Sequence, residues 1–167
     1  PVIPMTKSDG TVWAWGGDGD GQLGNGIPLD SHSAPVRVDT LSNVIAIATR
    51  YHHSLALKSD GTVWHWGTLY GPDGHGTFVP EQVPGLERIV YIAAGLFTGY
   101  AIDQDGAVWW WGNFEGGSNS SLYPAASNTP VRYRELSNIV SIVAGDGFAI
   151  ALDAEARLWS WGTNTKG

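Results

Sequence analysis

Hydrophobic residues along this chain fall into short runs separated by turns rich in glycine and proline, and the runs recur in the same order. Apolar, β-branched runs such as residues 44–48, Val-Ile-Ala-Ile-Ala, are typical of strands that are buried on both faces. Long runs of helix-forming residues are missing from the sequence. The pattern therefore predicts an all-β protein built from short antiparallel strands.

An acidic turn followed by a tryptophan-rich strand occurs four times. The first copy, residues 9–16, reads Asp-Gly-Thr-Val-Trp-Ala-Trp-Gly, and further copies lie at 60–67, 105–112 and, in weakened form, 155–162. The copies begin 45 to 51 residues apart, a spacing typical of proteins that repeat a small structural unit. The Asp-Gly pair predicts a two-residue hairpin turn, because glycine tolerates a positive φ.

Each period contains four predicted strands, which are an apolar strand, a second strand of the His-Ser-Leu type, the tryptophan strand and a short strand that starts at a proline. Proline suits an edge strand, where its missing N–H does no harm. Four antiparallel strands per repeat predict the blades of a β-propeller. We assign a single domain of 14 strands with a partial blade over 1–43, blades over 44–88 and 89–138, and a partial blade over 139–167.

Charge and composition narrow the possible functions. The formal charge is −7 and the basic residues are scattered, which argues against nucleic acid and anionic membranes as partners. The chain has no cysteine and no motif for a catalytic nucleophile, a zinc protease or a phosphate loop. Residues 18–21, Asp-Gly-Asp-Gly, match only the start of a calcium loop. We therefore expect no enzyme activity, no cofactor and no metal.

The order of these motifs resembles the regulator-of-chromosome-condensation repeat over nearly the whole chain. The clearest matches are residues 53–57, His-Ser-Leu-Ala-Leu, which lead into Asp60-Gly61, and residues 21–26, Gly-Gln-Leu-Gly-Asn-Gly. Arg50 departs from the pattern, since it stands where the repeat has a glycine. The tryptophan-rich style is similar to bacterial members of the family, which favours a secreted or cell-surface location.

The resemblance implies a propeller that closes with seven blades. Fourteen strands correspond to about three and a half blades, half of such a ring. Two interpretations follow, either a partial propeller that belongs to something longer or a half-propeller that closes by self-association with a second copy. Because an open array leaves unpaired strand edges, which proteins normally cover, we favour the first.

Eight of the nine tryptophans are expected to pack blades together, because both rings of each pair point to one face of the strand. Trp110 is the exception, since it occupies the position that Ala14, His65 and Ser160 hold in the other copies. We expect a ring at this variable position to be exposed and available to a partner. The alternative is that it fills a gap between blades.

The loops between first and second strands should meet on one face of the propeller. They carry Arg50, Tyr51, His52 and Phe97, and an arginine and aromatic cluster on a rigid scaffold is typical of a binding surface. The variable loops that follow the tryptophan strands add further candidates for partner binding, Tyr70 and Phe114.

We interpret the chain as a non-catalytic scaffold that binds a protein partner. The resemblance implies the same role, because relatives include a guanine-nucleotide exchange factor for a small GTPase and a bacterial secreted inhibitor of β-lactamases, and both present loops to a protein. The alternative is a carbohydrate-binding propeller, in which exposed aromatic rings stack on sugars. That alternative predicts an exposed aromatic side chain at the equivalent position of every blade.

Overall fold

The computed structural model describes residues 2–27, 31–69, 76–113 and 127–162. Within these ranges the secondary structure is entirely β, which confirms the predicted class, and no helix is long and apolar enough to cross a membrane. The strands are β1 (Val2–Thr6), β2 (Val12–Gly16), β3 (His32–Arg37), β4 (Val44–Arg50), β5 (His53–Lys58), β6 (Val63–Thr68), β7 (Gly76–Gln82), β8 (Ile89–Ala94), β9 (Thr98–Asp103), β10 (Val108–Gly112), β11 (Ser127–Arg132), β12 (Ile139–Ala144), β13 (Phe148–Asp153) and β14 (Leu158–Gly162).

The strands form four antiparallel sheets, which are the propeller blades. Blade 1 contains β1 to β3, blade 2 contains β4 to β7, blade 3 contains β8 to β11 and blade 4 contains β12 to β14. The first strands β4, β8 and β12 contact one another in sequence around the axis. The equivalent of three and a half blades is thus spread over four sheets, because blades 1 and 4 have three strands each among the described residues.

Proline lies in the outer strands, as predicted, but these strands begin earlier than expected. Pro35, Pro80 and Pro130 fall inside β3, β7 and β11, which are edge strands of their sheets. The pairing with the tryptophan strand shifts register over the stretch that contains each proline, and Pro35, for example, lies between Val36, which pairs with Ala14, and His32, which pairs with Gly16. A missing N–H is tolerated at such an irregular edge, so the strand continues through the proline.

The turn before each tryptophan strand is longer than the predicted two residues. In blade 1 the N–H of Gly10 donates to the carbonyl of Lys7, and the N–H of Lys7 donates to the carbonyl of Thr11, both at 2.9 Å. Three residues therefore lie between the paired ends, with Gly10 in the left-handed region at φ 76°. Ala156 takes this left-handed position in blade 4, at φ 62°.

The first tryptophan of each pair is held by the residue that precedes the turn. In blade 1 the ammonium of Lys7 lies 4.2 Å from the centroid of Trp13. In blade 3 the indole N–H of Trp109 instead donates to Asp103 at 3.0 Å. The same two arrangements recur as Lys58 over Trp64 in blade 2 and Trp159 to Asp153 in blade 4.

The hydrophobic core lies between neighbouring blades. In blades 2 and 3 the tryptophan pair faces the preceding blade, and the valine and variable residue of the same strand face the following blade. Trp66 is fully buried with Val12 and Ala14 of blade 1, and Trp111 is buried with Val63 of blade 2. Trp159 is 39% exposed. The second tryptophans of blades 2 and 3, Trp66 and Trp111, are therefore the most completely buried of the residues predicted to pack blades together.

Trp110 is buried, so the prediction that it is exposed for partner binding is wrong. It is 2% exposed and packs between blades 3 and 4, with its ring 6.3 Å from that of Tyr133. The variable position faces the next blade rather than solvent, and Ala14 is equally buried there. The gap-filling alternative is the one the structure shows.

The outward faces of blades 1 and 4 expose apolar side chains. On blade 4 Leu158 is 74% exposed, whereas Val108 at the equivalent position of blade 3 is 0% exposed. Val143 and Phe148 extend this face. On blade 1 the outward face presents Ile3 and Met5 next to the first tryptophan pair. These faces are the ones that a further blade would cover.

Candidate protein-interaction surface

The loops between first and second strands of blades 2, 3 and 4 meet on one face of the molecule, as predicted. The guanidinium of Arg50 in blade 2 donates to Asp146 in blade 4 through Nη2 at 2.6 Å and Nε at 3.1 Å. This ion pair joins blades that are not adjacent in the array. We call the face formed by Arg50, Tyr51, His52, Phe97, Asp20 and Asp146 the loop surface.

The aromatic side chains of the loop surface form a continuous series. The ring of His52 stacks on Phe97 with centroids 5.1 Å apart and planes 21° apart. Tyr51 lies 6.2 Å from His52, and the guanidinium carbon of Arg50 lies 5.3 Å from the centroid of Tyr51. Tyr51 is 53% exposed. The four residues grouped by sequence are therefore in contact, with Tyr51 the most available to a partner.

Asp20 belongs to this surface, although its sequence context indicates only the start of a calcium loop. Its Oδ2 lies 2.8 Å from Nδ1 of His52. Asp20 comes from the loop that follows the tryptophan strand of blade 1, so the contact joins two loops of different type. The loops between first and second strands and the loops after the tryptophan strands lie at the same end of the antiparallel strands. This shared position could have predicted from the sequence that Asp20 lies on the loop surface.

The Gly-Gln-Leu-Gly loop of blade 1 supports the backbone of the loop surface. The side-chain amide of Gln22 donates to the carbonyl of Tyr51 at 3.1 Å, and its Oε1 accepts from the N–H of Asp20 at 2.8 Å. Tyr51 itself has a positive φ of 21°. A non-glycine residue in this conformation is held by its surroundings, and such positions are frequent at binding sites.

The glycine that ends each tryptophan strand sets the position of the neighbouring surface loop. Gly112 has a φ of 99°, and a Cβ added there would overlap the carbonyl oxygen of Phe97. That carbonyl also accepts the N–H of Asn113 at 2.8 Å. Gly67 and Gly162 make the same close approach to the carbonyls of His52 and Gly147. The repeated Trp-Gly motif therefore shapes the loop surface as well as the blades.

His53 lies directly beneath the loop surface and is fully buried. Burial, together with a smaller effect of the nearby His65 and His52, lowers the pKa of His53 to about 3. The side chain is therefore neutral at pH 7. This placement gives His53 a structural role and separates it from the partly exposed His52.

The remaining sequence candidates contribute differently. Tyr70 and Phe114 lie outside the described residues. The carboxylate of Asp18 accepts the N–H of Leu23 at 2.8 Å through Oδ1, which makes it a turn-stabilising group. In the described ranges, no group of three or more His, Asp or Glu side chains is arranged to hold a metal ion. The loop surface thus offers one cation, three aromatic rings and two carboxylates on a rigid base, a mixture suited to recognition.

Comparison with protein families supports the same repeat. Two models of the regulator of chromosome condensation (RCC1) repeat match the chain, one over residues 9–57 and the other over residues 139–167. The chain is similar to the probable E3 ubiquitin-protein ligase HERC6 of Homo sapiens, with 37% identity over 76 residues, covering 44% of this chain and 7% of that protein. It is similar to protein pim1 of Schizosaccharomyces pombe, with 40% identity over 73 residues, covering 36% of this chain and 14% of that protein.

Solved structures share the fold. Human WBSCR16 superimposes with a TM-score of 0.80 and 23% identity, covering 96% of this chain and 45% of that chain. Prp20p from Saccharomyces cerevisiae, studied for its binding to Gsp1p and histones, has a TM-score of 0.79 and 24% identity, covering 96% of this chain and 43% of that chain. The chain spans less than half the length of each of these four proteins.

Proposed function

Because this chain belongs to the RCC1-repeat propellers, we propose that it binds a protein partner through the loop surface and has no catalytic centre of its own. The observation that carries the proposal is the packing of Arg50, Tyr51, His52 and Phe97 from two blades into one cluster. Asp20 and Asp146 from the other two blades hold this cluster in place. Aromatic and arginine side chains on a rigid base are the groups that dominate protein interfaces.

Similar proteins support a protein as the partner. Prp20 has been crystallised with Kap60 bound, and Prp20p was studied for its binding to Gsp1p and histones. The carbohydrate-binding alternative is less well supported, because neither aromatic position recurs in every blade. Tyr51 corresponds to Leu96 and Asp146, and Phe97 corresponds to His52 and Gly147. Trp110, the other aromatic candidate for that alternative, is buried.

A quantitative pull-down from an extract of the source organism tests the proposal. We expect Tyr51→Ala combined with Phe97→Ala to weaken capture of the partner at least tenfold, since truncating a hot-spot residue costs about 2 kcal/mol or more. Gln104→Ala is the matched control, because Gln104 is exposed at the opposite end of the blade 3 strands. Equal capture by the double variant and the control would contradict the loop surface as the binding site.

We further propose that the outward faces of blades 1 and 4 pair with each other between two copies of the chain. The blade 4 face, which includes the exposed Leu158, has the positions that receive a tryptophan pair in blades 2 and 3. The blade 1 face presents such a pair, Trp13 and Trp15. Each chain contains four sheets, so two paired copies would contain eight. The strand count alone predicts seven complete blades, but the three-stranded sheets at both ends of each chain do not combine to give that number.

Light scattering coupled to size-exclusion chromatography tests this pairing. We expect a concentration-dependent dimer for the wild type and a monomer for Leu158→Glu, because a buried unpaired carboxylate opposes association. Leu158 is exposed in the single chain, so its substitution leaves the fold intact. A wild-type chain that stays monomeric at all concentrations would rule out self-association.

A further inference from the structure

The side chain of Gln22 is a polar group that lies beneath the loop surface. Gln22 is only 6% exposed, so it adds almost nothing to the area that a partner on this surface would meet. Both ends of its amide are nonetheless used, because the nitrogen donates to the carbonyl of Tyr51 and the oxygen accepts the N–H of Asp20. Gln22 therefore connects two residues of the loop surface from below.

The two partners fix the orientation of this amide. A backbone N–H only donates and a backbone carbonyl only accepts, so the amide oxygen must face Asp20 and the amide nitrogen must face Tyr51. An ionised glutamate has a similar size but lacks the donor, and methionine has no donor and only a weak acceptor. The bond to Asp20 thus directs the donor of Gln22 toward Tyr51, and these two substitutions can separate the two bonds.

The backbone of Gln22 is anchored independently of its side chain. Its carbonyl accepts the indole N–H of Trp66 at 2.8 Å and the hydroxyl of Ser54 at 3.1 Å. The next residue, Leu23, is fully buried, and its N–H donates to Asp18 at 2.8 Å. A change of the Gln22 side chain leaves these anchors in place, so it tests the amide and not the whole turn.

Tyr51 has a backbone conformation that its equivalents in the other blades do not share. The pairing registers place Leu96 of blade 3 and Asp146 of blade 4 at the same loop position. Tyr51 has a φ of 21°, whereas neither of these two described residues has a positive φ. The Gly-Gln-Leu-Gly sequence that supplies Gln22 also occurs only once in the chain. The unusual conformation and the glutamine contact therefore occur together.

The conformation of Tyr51 determines how its ring is presented to solvent. The side chain is 53% exposed, and the guanidinium carbon of Arg50 lies 5.3 Å from the ring centroid. A positive φ is unfavourable for a residue with a side chain, and it persists only where neighbouring groups hold it. The hydrogen bond from Gln22 to the Tyr51 carbonyl is such a constraint. Without it we expect the backbone to leave the positive φ region and the ring to change direction.

We propose that Gln22 is a positioning residue for partner binding, because its amide holds the conformation in which Tyr51 is presented. Tyr51 makes the contact with the partner, and Gln22 acts through it. The inference rests on the proposed function, since it takes the loop surface to be the binding site. It adds that the loop of blade 1 controls how an aromatic residue of blade 2 is presented.

The first test observes Tyr51 directly and needs no partner. Labelling tyrosine with ¹³C at the carbonyl and histidine with ¹⁵N gives one coupled NMR signal, because Tyr51-His52 is the only Tyr-His pair in the sequence. Gln22→Glu and Gln22→Met should both shift this carbonyl signal at neutral pH. Ser54→Ala is the matched control, since it removes a bond to the Gln22 backbone and leaves the amide intact. An unchanged signal in both Gln22 variants would overturn the proposal.

The second test measures capture, in the pull-down, of the protein that the wild type binds. Gln22→Met should weaken capture roughly three- to tenfold, the factor that one neutral hydrogen bond usually supplies, and Ser54→Ala should bind normally. In a Tyr51→Ala background Gln22→Met should cause no further loss, because the ring on which Gln22 acts is gone. The same loss in both backgrounds would show that Gln22 acts independently of Tyr51 and would overturn the proposal.

Gln22→Glu identifies which of the two bonds matters. It keeps an acceptor for the N–H of Asp20 but has no donor for Tyr51, so it should weaken capture about as much as Gln22→Met does. Normal capture by Gln22→Glu would assign the effect to the bond with Asp20 and contradict the proposal.

Failure of this inference and failure of the proposed function are distinguishable. An unchanged Tyr51 carbonyl signal would remove the positioning role of Gln22 without affecting the pull-down with Tyr51→Ala and Phe97→Ala. Equal capture by that double variant and its control would instead contradict the loop surface as the binding site, whatever the carbonyl signal shows.

Discussion

At the residue scale, the turns before the tryptophan strands differ in how well their sequence fits their backbone. Three copies place glycine in the left-handed position, whereas blade 4 places Ala156 there at φ 62°. A side chain in this region costs about 1 to 2 kcal/mol, and glycine recovers this at the expense of a more flexible unfolded chain.

We expect Ala156→Gly to raise the free energy of unfolding by about 0.5 to 1 kcal/mol. Urea denaturation followed by tryptophan fluorescence measures the change. Gly106→Ala is the reciprocal control in blade 3, where a Cβ would lie 2.7 Å from Cα of Asn138, and it should destabilise the protein. A neutral or destabilising Ala156→Gly would show that the turn conformation is not strained.

His53 provides a second residue-scale prediction through its pKa of about 3 in the folded chain. An unfolded histidine has a pKa near 6.5, so between about pH 6.5 and 3 the unfolded state binds more protons than the native state. The contribution of His53 to the free energy of unfolding is therefore fully present above pH 6.5. Below that pH it should lower the free energy of unfolding by roughly 1.4 kcal/mol per pH unit.

His53→Thr tests this pH dependence, because blade 3 carries Thr98 at the same strand position. The variant should show a flatter decline in unfolding free energy between pH 6.5 and 4.5 than the wild type does. The Asp153 carboxyl does not interfere, since hydrogen bonds from Trp159 and Arg157 outweigh its burial and hold its pKa at about 2. If the free energy of unfolding declined equally with pH in the wild type and the variant, His53 would be protonated in the folded state.

At the scale of the structural element, the glycine that ends each tryptophan strand couples strand geometry to the loop surface. Gly112 combines a φ of 99° with close approach to the carbonyl of Phe97. We expect Gly112→Ala to lower the free energy of unfolding by about 2 to 4 kcal/mol, because backbone strain and a steric overlap act together.

Gly85→Ala separates these two effects. Gly85 has a similar φ of 74°, but no atom lies within 4 Å of an added Cβ. It should cost only about 1 kcal/mol, the usual penalty for the left-handed conformation. Equal losses for both variants in chemical denaturation would show that the contact with Phe97 adds nothing.

At the scale of the whole molecule, the Arg50 and Asp146 ion pair links blades 2 and 4 across blade 3. Both side chains are partly exposed, so solvent screens their attraction and we expect a coupling energy below about 1 kcal/mol. A double-mutant cycle with Arg50→Ala and Asp146→Ala measures it, and the value should shrink further at high salt. A coupling of 2 kcal/mol or more would mean that this contact, rather than the blade interfaces, holds the array together.

Much of the loop surface was predictable because it follows from repeat symmetry. Arg50 and Phe97 occupy equivalent loops of successive blades, and equivalent loops of a propeller face the same way. Asp20 was missed as a surface residue because its contact with His52 joins loops of different type. The prediction for Trp110 is wrong because a position that varies between repeats is not necessarily exposed.

The strand order, the turn glycines and the grouping of loops at one end of the blades are all legible in the repeated sequence, because local conformation and strand alternation dictate them. Which face of a strand meets solvent depends on whether another blade packs there, and only the tertiary structure shows this. Trp110 is buried and Leu158 exposed for that reason alone.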